Sequence, residues 1–141
     1  MAAAELEEMT VSTDHIELPS SDAPLIVEGA GGLYVPLNEE KMIIDIIKQL
    51  DLPVILVARS TLGTINHTLL SLRALAEYNI PVAGVVLSGP INSSNRKTIE
   101  QFGNVRVIFE IPQFDEITPA VVNDFASTVE NFESTLLPLK K

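Results

Sequence analysis

The chain has 141 residues, 46% of them apolar, and no cysteine, which suits one globular domain and excludes disulfides, thiol catalysis and cysteine metal sites. Its formal charge of −10 repels polyphosphate backbones, and its basic residues are scattered apart from Arg96–Lys97 and Lys140–Lys141, which argues against a nucleic-acid partner. No apolar run approaches the roughly 20 residues of a membrane span, and residues 1–15 lack the basic and apolar regions of a secretory signal, so no membrane partner and a cytoplasmic location are expected.

In chain order, residues 1–22 form an amino-terminal segment without a firm assignment: Ala2–Met9 reads as one or two helical turns, and a polar connector with a solvated His15 follows. Leu25–Val27, Val54–Ala58 and Val82–Leu87 are near-continuous apolar runs, the pattern of parallel strands covered on both faces. Between the first two, "NEEKMIIDIIKQL" predicts a helix capped by Asn38, with Ile43, Ile46, Ile47 and Leu50 at helical spacing. Asp45 in that helix is expected to face solvent. "TINHTLLSLRALAEYN" predicts a second helix, stopped at Asn79 before Ile80–Pro81, and "SSNRKTIEQFG" a shorter one ending at Gly103. Val105–Ile111 alternates in part and reads as the edge strand. The last helix, "TPAVVNDFASTVENFESTLL", takes Thr118 as cap and Pro119 at its first position, with Val122, Phe125, Ala126, Val129 and Phe132 as its core stripe.

Strand and helix alternate without a break, which predicts a single α/β domain over residues 1–141, a doubly wound and mostly parallel sheet with right-handed crossovers. In such sheets ligands bind beyond the carboxyl ends of the strands, where "LIVEGAGGLYVP" places Glu28, Gly29, Gly31 and Gly32. Glycine allows positive φ and close approach, so its amides can face an anion, and a carboxylate beside them can hold Mg²⁺ against phosphate oxygens. A plain turn at a strand end explains the same glycines. The residues "EGAGG" alone leave both readings open.

The wider pattern goes further. "VEGAGGLYVPL", "LDLPVILVARSTLGTINHTLLSL", "IPVAGVVLSGP" and "EIPQF", in that order and at these separations, resemble dethiobiotin synthetase, an ATP-dependent ring-closing enzyme of biotin synthesis. The resemblance runs over nearly the whole chain and implies a fold of the phosphate-loop ATPase type. It implies that CO₂ joins 7,8-diaminononanoate as a carbamate, which takes the γ-phosphate of ATP before the second amine closes the ring. By the same resemblance Glu28 is the magnesium-associated residue, and Glu28, Gly29, Ala30 and Gly31 lie near the phosphates. Gly31, Gly32, Leu56 and Asn66 match the diamine site, Asn66 reaching across a homodimer interface to the other subunit. Ser88 and Gly89, with Pro112, Gln113 and Phe114, match the segments around the base, and Glu116 matches the ribose contact.

Two departures qualify these implications. Ser88 stands where the family usually has an asparagine, and a hydroxyl cannot make the two-point contact of an amide side chain. No lysine directly follows a glycine, so the family's Gly-Lys-Ser/Thr phosphate loop, the catalytic lysine and the substrate-binding serine have no counterpart. The match corresponds to about the carboxyl-terminal two-thirds of the family's chain, and a sheet lacking its first strands is expected, its gap filled by a separate amino-terminal half, by direct pairing of the flanking strands or by a dimer partner. The alternatives are a non-catalytic dimerisation or regulatory module that keeps the fold, and an amidating ligase of cobalamin synthesis, which shares the scaffold but not "TINH". His67 reads as structural, and Arg59, just past a strand, as a salt-bridge partner rather than a phosphate ligand.

Overall fold

The computed structural model describes residues 11–129. In chain order the elements are α1 (Ile43–Leu50), β1 (Val54–Arg59), α2 (Thr64–Glu77), β2 (Val82–Ser88), α3 (Ser93–Gly103), β3 (Val107–Ile111) and α4 (Pro119–Thr128). The strands pair in parallel in the order β1-β2-β3, which confirms the α/β class. Parallel neighbours need a crossover, and α2 and α3 supply the two. Both connections step one strand in the same direction, so the handedness rule puts both helices on one face. Their common core is Leu72 of α2, Ile99 of α3, Val85 and Leu87 of β2 and Val107 of β3, with Leu56 and Ala58 packed against it.

A second cluster lies at the amino ends of the strands. Ile44 of α1 packs with Ala74 and Leu75 of α2 and with Ile80, against Val54 and Val82, the first residues of β1 and β2. There α2 stops as expected: Asn79 takes φ of 57° and Ile80 N–H reaches back to the Leu75 carbonyl at 2.9 Å. β3 is an edge strand as expected. Arg96 of α3 ties it down, donating to Glu110 at 3.1 Å and to the Val107 carbonyl at 3.1 Å.

Three expectations are corrected. The run Leu25–Val27 is not a strand but an irregular, exposed segment, with Ile26 92% exposed. A strand needs a neighbour to take its backbone hydrogen bonds, and none of the three described strands lies beside it. The sheet is also covered on both faces only in part: β2 is buried on both, with Val85, Val86 and Leu87 at 0, 3 and 1% exposure, but β1 turns Ile55 and Val57 outward, Val57 64% exposed. Thirdly, Asn38 does not cap α1. Its side chain accepts from Glu40 N–H at 2.9 Å and Lys41 N–H at 2.8 Å, closing a turn before a helix whose cap position is Met42.

Asp45 has a local use, since its carboxylate accepts the Met42 N–H at 2.8 Å in the first turn of α1. In α4 the Thr118 hydroxyl caps Val121 N–H at 3.3 Å as expected, but the inward stripe is Val121, Phe125 and Val129. Val122 is 51% exposed and Ala126 also faces out, because the edge-to-face contact of Phe125 with Phe114, centroids 5.7 Å apart, sets the phase. Phe132, the continuation to Leu137 and the turns expected at Ala2–Met9 lie outside the described residues. Among those described, no helix is long and apolar enough to cross a membrane.

Gly103 serves packing more than termination, since Asn104, with φ of 47°, is the left-handed residue that ends α3. A Cβ on Gly103 would stand 2.6 Å from Leu72 Cδ1, at the crossing of α2 and α3. Gly103→Ala should therefore lose about 1 kcal/mol: overpacking costs about 1–3, and helix propensity returns about 1. Urea denaturation reads this directly, and a variant as stable as the parent would mean that Leu72 yields freely.

Candidate functional site

The carboxyl ends of the strands hold one part of the residues expected to face a nucleotide, while Glu28, Gly29, Ala30 and Gly31 lie in the irregular segment before α1. β2 ends at Ser88, and Gly89 follows with φ of 123°, a left-handed conformation that turns the chain sharply toward Pro90. Gly89 N–H donates to the Ile111 carbonyl at the end of β3 at 2.9 Å, so Ser88 and Gly89 lie beside the Ile111–Pro112 step. Phe114 is held by its ring contact with Phe125, Pro112 is half-buried, and Gln113 and Glu116 are exposed. On the other side Ser60 N–H donates to the Ser88 carbonyl at 2.9 Å, and the Ser60 hydroxyl donates to the Pro90 carbonyl. The Ser88 hydroxyl has no hydrogen-bond partner among the described residues, which leaves it open to a ligand.

A cavity of about 330 Å³ opens beside these tips, lined by Leu56 and Arg59 of β1 and by Thr64, His67, Thr68 and Ser71 of α2, among others. Its floor is built by the α2 amino terminus: Gly63 takes φ of 90° to start the helix, and the hydroxyls of buried Thr64 and Thr68 lie 3.4 Å apart. Arg59 enters no salt bridge among the described residues, contrary to expectation, and brings a positive charge to the cavity wall. His67 lines the same cavity and Leu56 lies in it. Asn66 is exposed and is not among the residues lining this cavity.

The glycine turn is organised around α1. Gly31 takes φ of 92°, and a turn closes from Val35 N–H to the Gly32 carbonyl at 3.1 Å. This aims the Leu33 and Val35 carbonyls at the Ile44 and Ile43 N–H groups, at 2.9 and 3.0 Å, so main-chain carbonyls satisfy the first donors of α1. Gly29 approaches the same helix: a Cβ there would stand 3.0 Å from Ile43 Cγ2. Glu28 and Ala30 are exposed, and Glu28 has no hydrogen bond or ion pair with another described residue. Among the described residues no group of three or more His, Cys, Asp or Glu side chains could hold a metal ion, so Glu28 belongs to no such group. That donor set fits Mg²⁺ of the kind held by one carboxylate with phosphate oxygens and water.

The structure thus brings Ser88 and Gly89 beside Ile111–Pro112, sets Phe114 against Phe125, and places Leu56 in the adjoining cavity. Sequence reasoning passed over Ser60, Thr64 and Thr68. The signal for Ser60 was slight, a small hydroxyl residue directly after a strand.

The family profile described as "AAA domain" matches residues 1–121. The chain is 50% identical over 135 residues to a "Biotin biosynthesis bifunctional protein BioCD" of Bordetella avium, covering 96% of this chain and 29% of that protein. It is 46% identical over 120 residues to an "ATP-dependent dethiobiotin synthetase BioD" of Paramagnetospirillum magneticum, covering 85% of this chain and 58% of that one. The protein of the same description in Lawsonia intracellularis is 42% identical over 128 residues, 91% of this chain and 63% of its own. The chain spans less than two thirds of each of these relatives.

Proposed function

The chain belongs to the AAA-domain family, and from that membership and its likeness to the dethiobiotin synthetases we propose that it forms the base-facing and diamine-facing part of a dethiobiotin synthetase. The reaction is the Mg-ATP-dependent carboxylation and ring closure of 7,8-diaminononanoate in biotin biosynthesis. The observation that carries the reading is the meeting of the β2 and β3 tips, with Gly89 N–H on the Ile111 carbonyl at 2.9 Å.

In this reading the adenine lies between Ser88–Gly89 and Pro112–Phe114, and Glu116 meets the ribose. Leu56 and the cavity beside it take the diamine chain, with Gly31, Gly32 and Asn66 as further contacts. Asn66, exposed on α2, serves a second subunit across a homodimer interface. The amine nitrogen bonds to the carbon of CO₂, one C–O π bond opens onto oxygen, and the nitrogen releases one proton, which gives the carbamate. The carbamate oxygen attacks the γ-phosphorus and ADP leaves; the second amine then attacks the carbonyl carbon, expels phosphate and releases one proton as the ring closes. The chain's share of this work is to orient the base and the diamine so that the two ends meet in line. Glu28 would hold Mg²⁺ beside the amides of Gly29, Ala30 and Gly31, and the ion when bound neutralises phosphate charge. The phosphate loop and its lysine come from an amino-terminal half, and the assembly works in the cytoplasm.

A second reading, a non-catalytic module that keeps the fold, draws support from the exposed position of Glu28 and from Ser88 in place of an amide side chain. Amide NMR of the chain separates the two. Mg-ATP at millimolar concentration should shift Ser88, Gly89, Gln113 and Phe114, and 7,8-diaminononanoate should shift Leu56. If neither ligand moves any of these resonances, the enzymatic reading is lost and the module stands.

A further inference from the structure

Ser60 is 4% exposed, and all three of its polar groups are hydrogen-bonded. Its N–H donates to the Ser88 carbonyl at 2.9 Å, and its hydroxyl donates to the Pro90 carbonyl. Its own carbonyl accepts from Asn95 Nδ2 at 3.1 Å, and Asn95 sits in the first turn of α3, its N–H capped by Asn92. The fit is close: a Cβ on Gly89 would stand 2.9 Å from Ser60 Oγ, so only glycine passes beneath the hydroxyl. Gly89 in turn donates to Ile111, so the clamp that starts at β1 reaches β3. Arg59 and Thr61, on either side of Ser60, both line the 330 Å³ cavity.

We infer that Ser60 is a positioning residue, which fixes the Ser88–Pro90 turn against Pro112–Phe114 and holds that nucleotide-facing gap at a set distance from the cavity beside α2. The inference rests on the nucleotide reading proposed above. Ser60 touches neither ligand; it acts through the main chain of Ser88 and Pro90. A buried hydroxyl bonded to a carbonyl two residues past a strand end holds a turn in one orientation, where a methyl group leaves it several. Pro90 is exposed, so in Ser60→Ala its carbonyl bonds to water instead. The fold therefore survives the change while the turn loosens.

The test is Ser60→Ala in the 141-residue chain, probed with Mg-ATP by amide NMR and with amide hydrogen exchange. The affinity for Mg-ATP should fall about fivefold to tenfold, the size of one lost hydrogen bond. Gly89 N–H should exchange at least about tenfold faster, while Val85 N–H, bonded to the Arg106 carbonyl at 2.9 Å inside the sheet, keeps its rate. Asn95→Ala, which leaves the hydroxyl in place, should weaken Mg-ATP in the same direction by less, and it carries the test if Ser60→Ala does not fold. A parent chain whose amides ignore Mg-ATP overturns the nucleotide reading and this inference together. A parent response that both variants reproduce in full overturns the inference alone.

Discussion

The 141 residues as they stand should incorporate no bicarbonate into 7,8-diaminononanoate with ATP, and addition of an amino-terminal half bearing a Gly-Lys phosphate loop should restore the reaction. The expectation follows from charge. Phosphoryl transfer is accelerated by fixed positive groups and oriented donors around the transferring phosphate, and removing one such donor alone typically loses on the order of 10²–10³ in rate. Here no lysine directly follows a glycine. Among the described residues Arg59 is the one lysine or arginine lining the cavity at the strand tips, and Arg96 is engaged with Glu110 on the flank of β3. Oriented backbone and Glu28 can position reactants but cannot offset the charge that develops on the phosphate oxygens. The assay follows labelled bicarbonate into acid-stable product. Turnover by the chain alone, above that of a blank, would refute the division of labour proposed for it.

Stability should depend most on Leu75. This side chain is 0% exposed in the middle of the cluster formed by Ile44, Ala74 and Ile80, and it joins α1 to α2 and to the first residues of β1 and β2. Leu75→Ala removes the apolar contact and leaves a void that α1, only eight residues long, cannot close without giving up its own packing. The loss should be about 2–5 kcal/mol, against a total of about 5–15 for a domain. The variant is expected to unfold at a urea concentration well below that of the parent. A loss under about 1 kcal/mol would mean that the cluster collapses around the smaller residue, which its tight registry argues against.

What could be read from the residues alone depended on whether a segment's neighbours were in the sequence pattern. Val54–Ala58 and Val82–Leu87 form strands as read, because aliphatic runs of that length find each other across a helical crossover. Leu25–Val27 looks the same in one dimension, yet three residues with no strand alongside have nowhere to place their hydrogen bonds. Asn38 and Asp45 show a similar limit. Both are good capping residues, and the sequence does not say which of two successive turns starts the helix; Asn38 closes a turn and Asp45 serves the cap position.

For the site, the rule that ligands meet strand tips was applied to Glu28 and its glycines, which follow no described strand, whereas Ser88, Gly89 and Pro112 came only from the family resemblance. Both were silent on Ser60, whose partners Pro90 and Asn95 lie 30 and 35 residues away. The phase of α4 escaped for a different reason. Val121 and Val122 are chemically equal candidates for the inward position, and the choice is made by one aromatic contact across the chain, Phe114 on Phe125.

The outward turn of Ile55 and Val57 has a thermodynamic consequence. Apolar area that is already wet in the native state is not newly hydrated on unfolding, so it adds nothing to the denaturant m-value or to the heat-capacity increment. For its length the domain should therefore show a shallow urea slope and a flat stability curve, and whatever screens that side of β1 from water would steepen both.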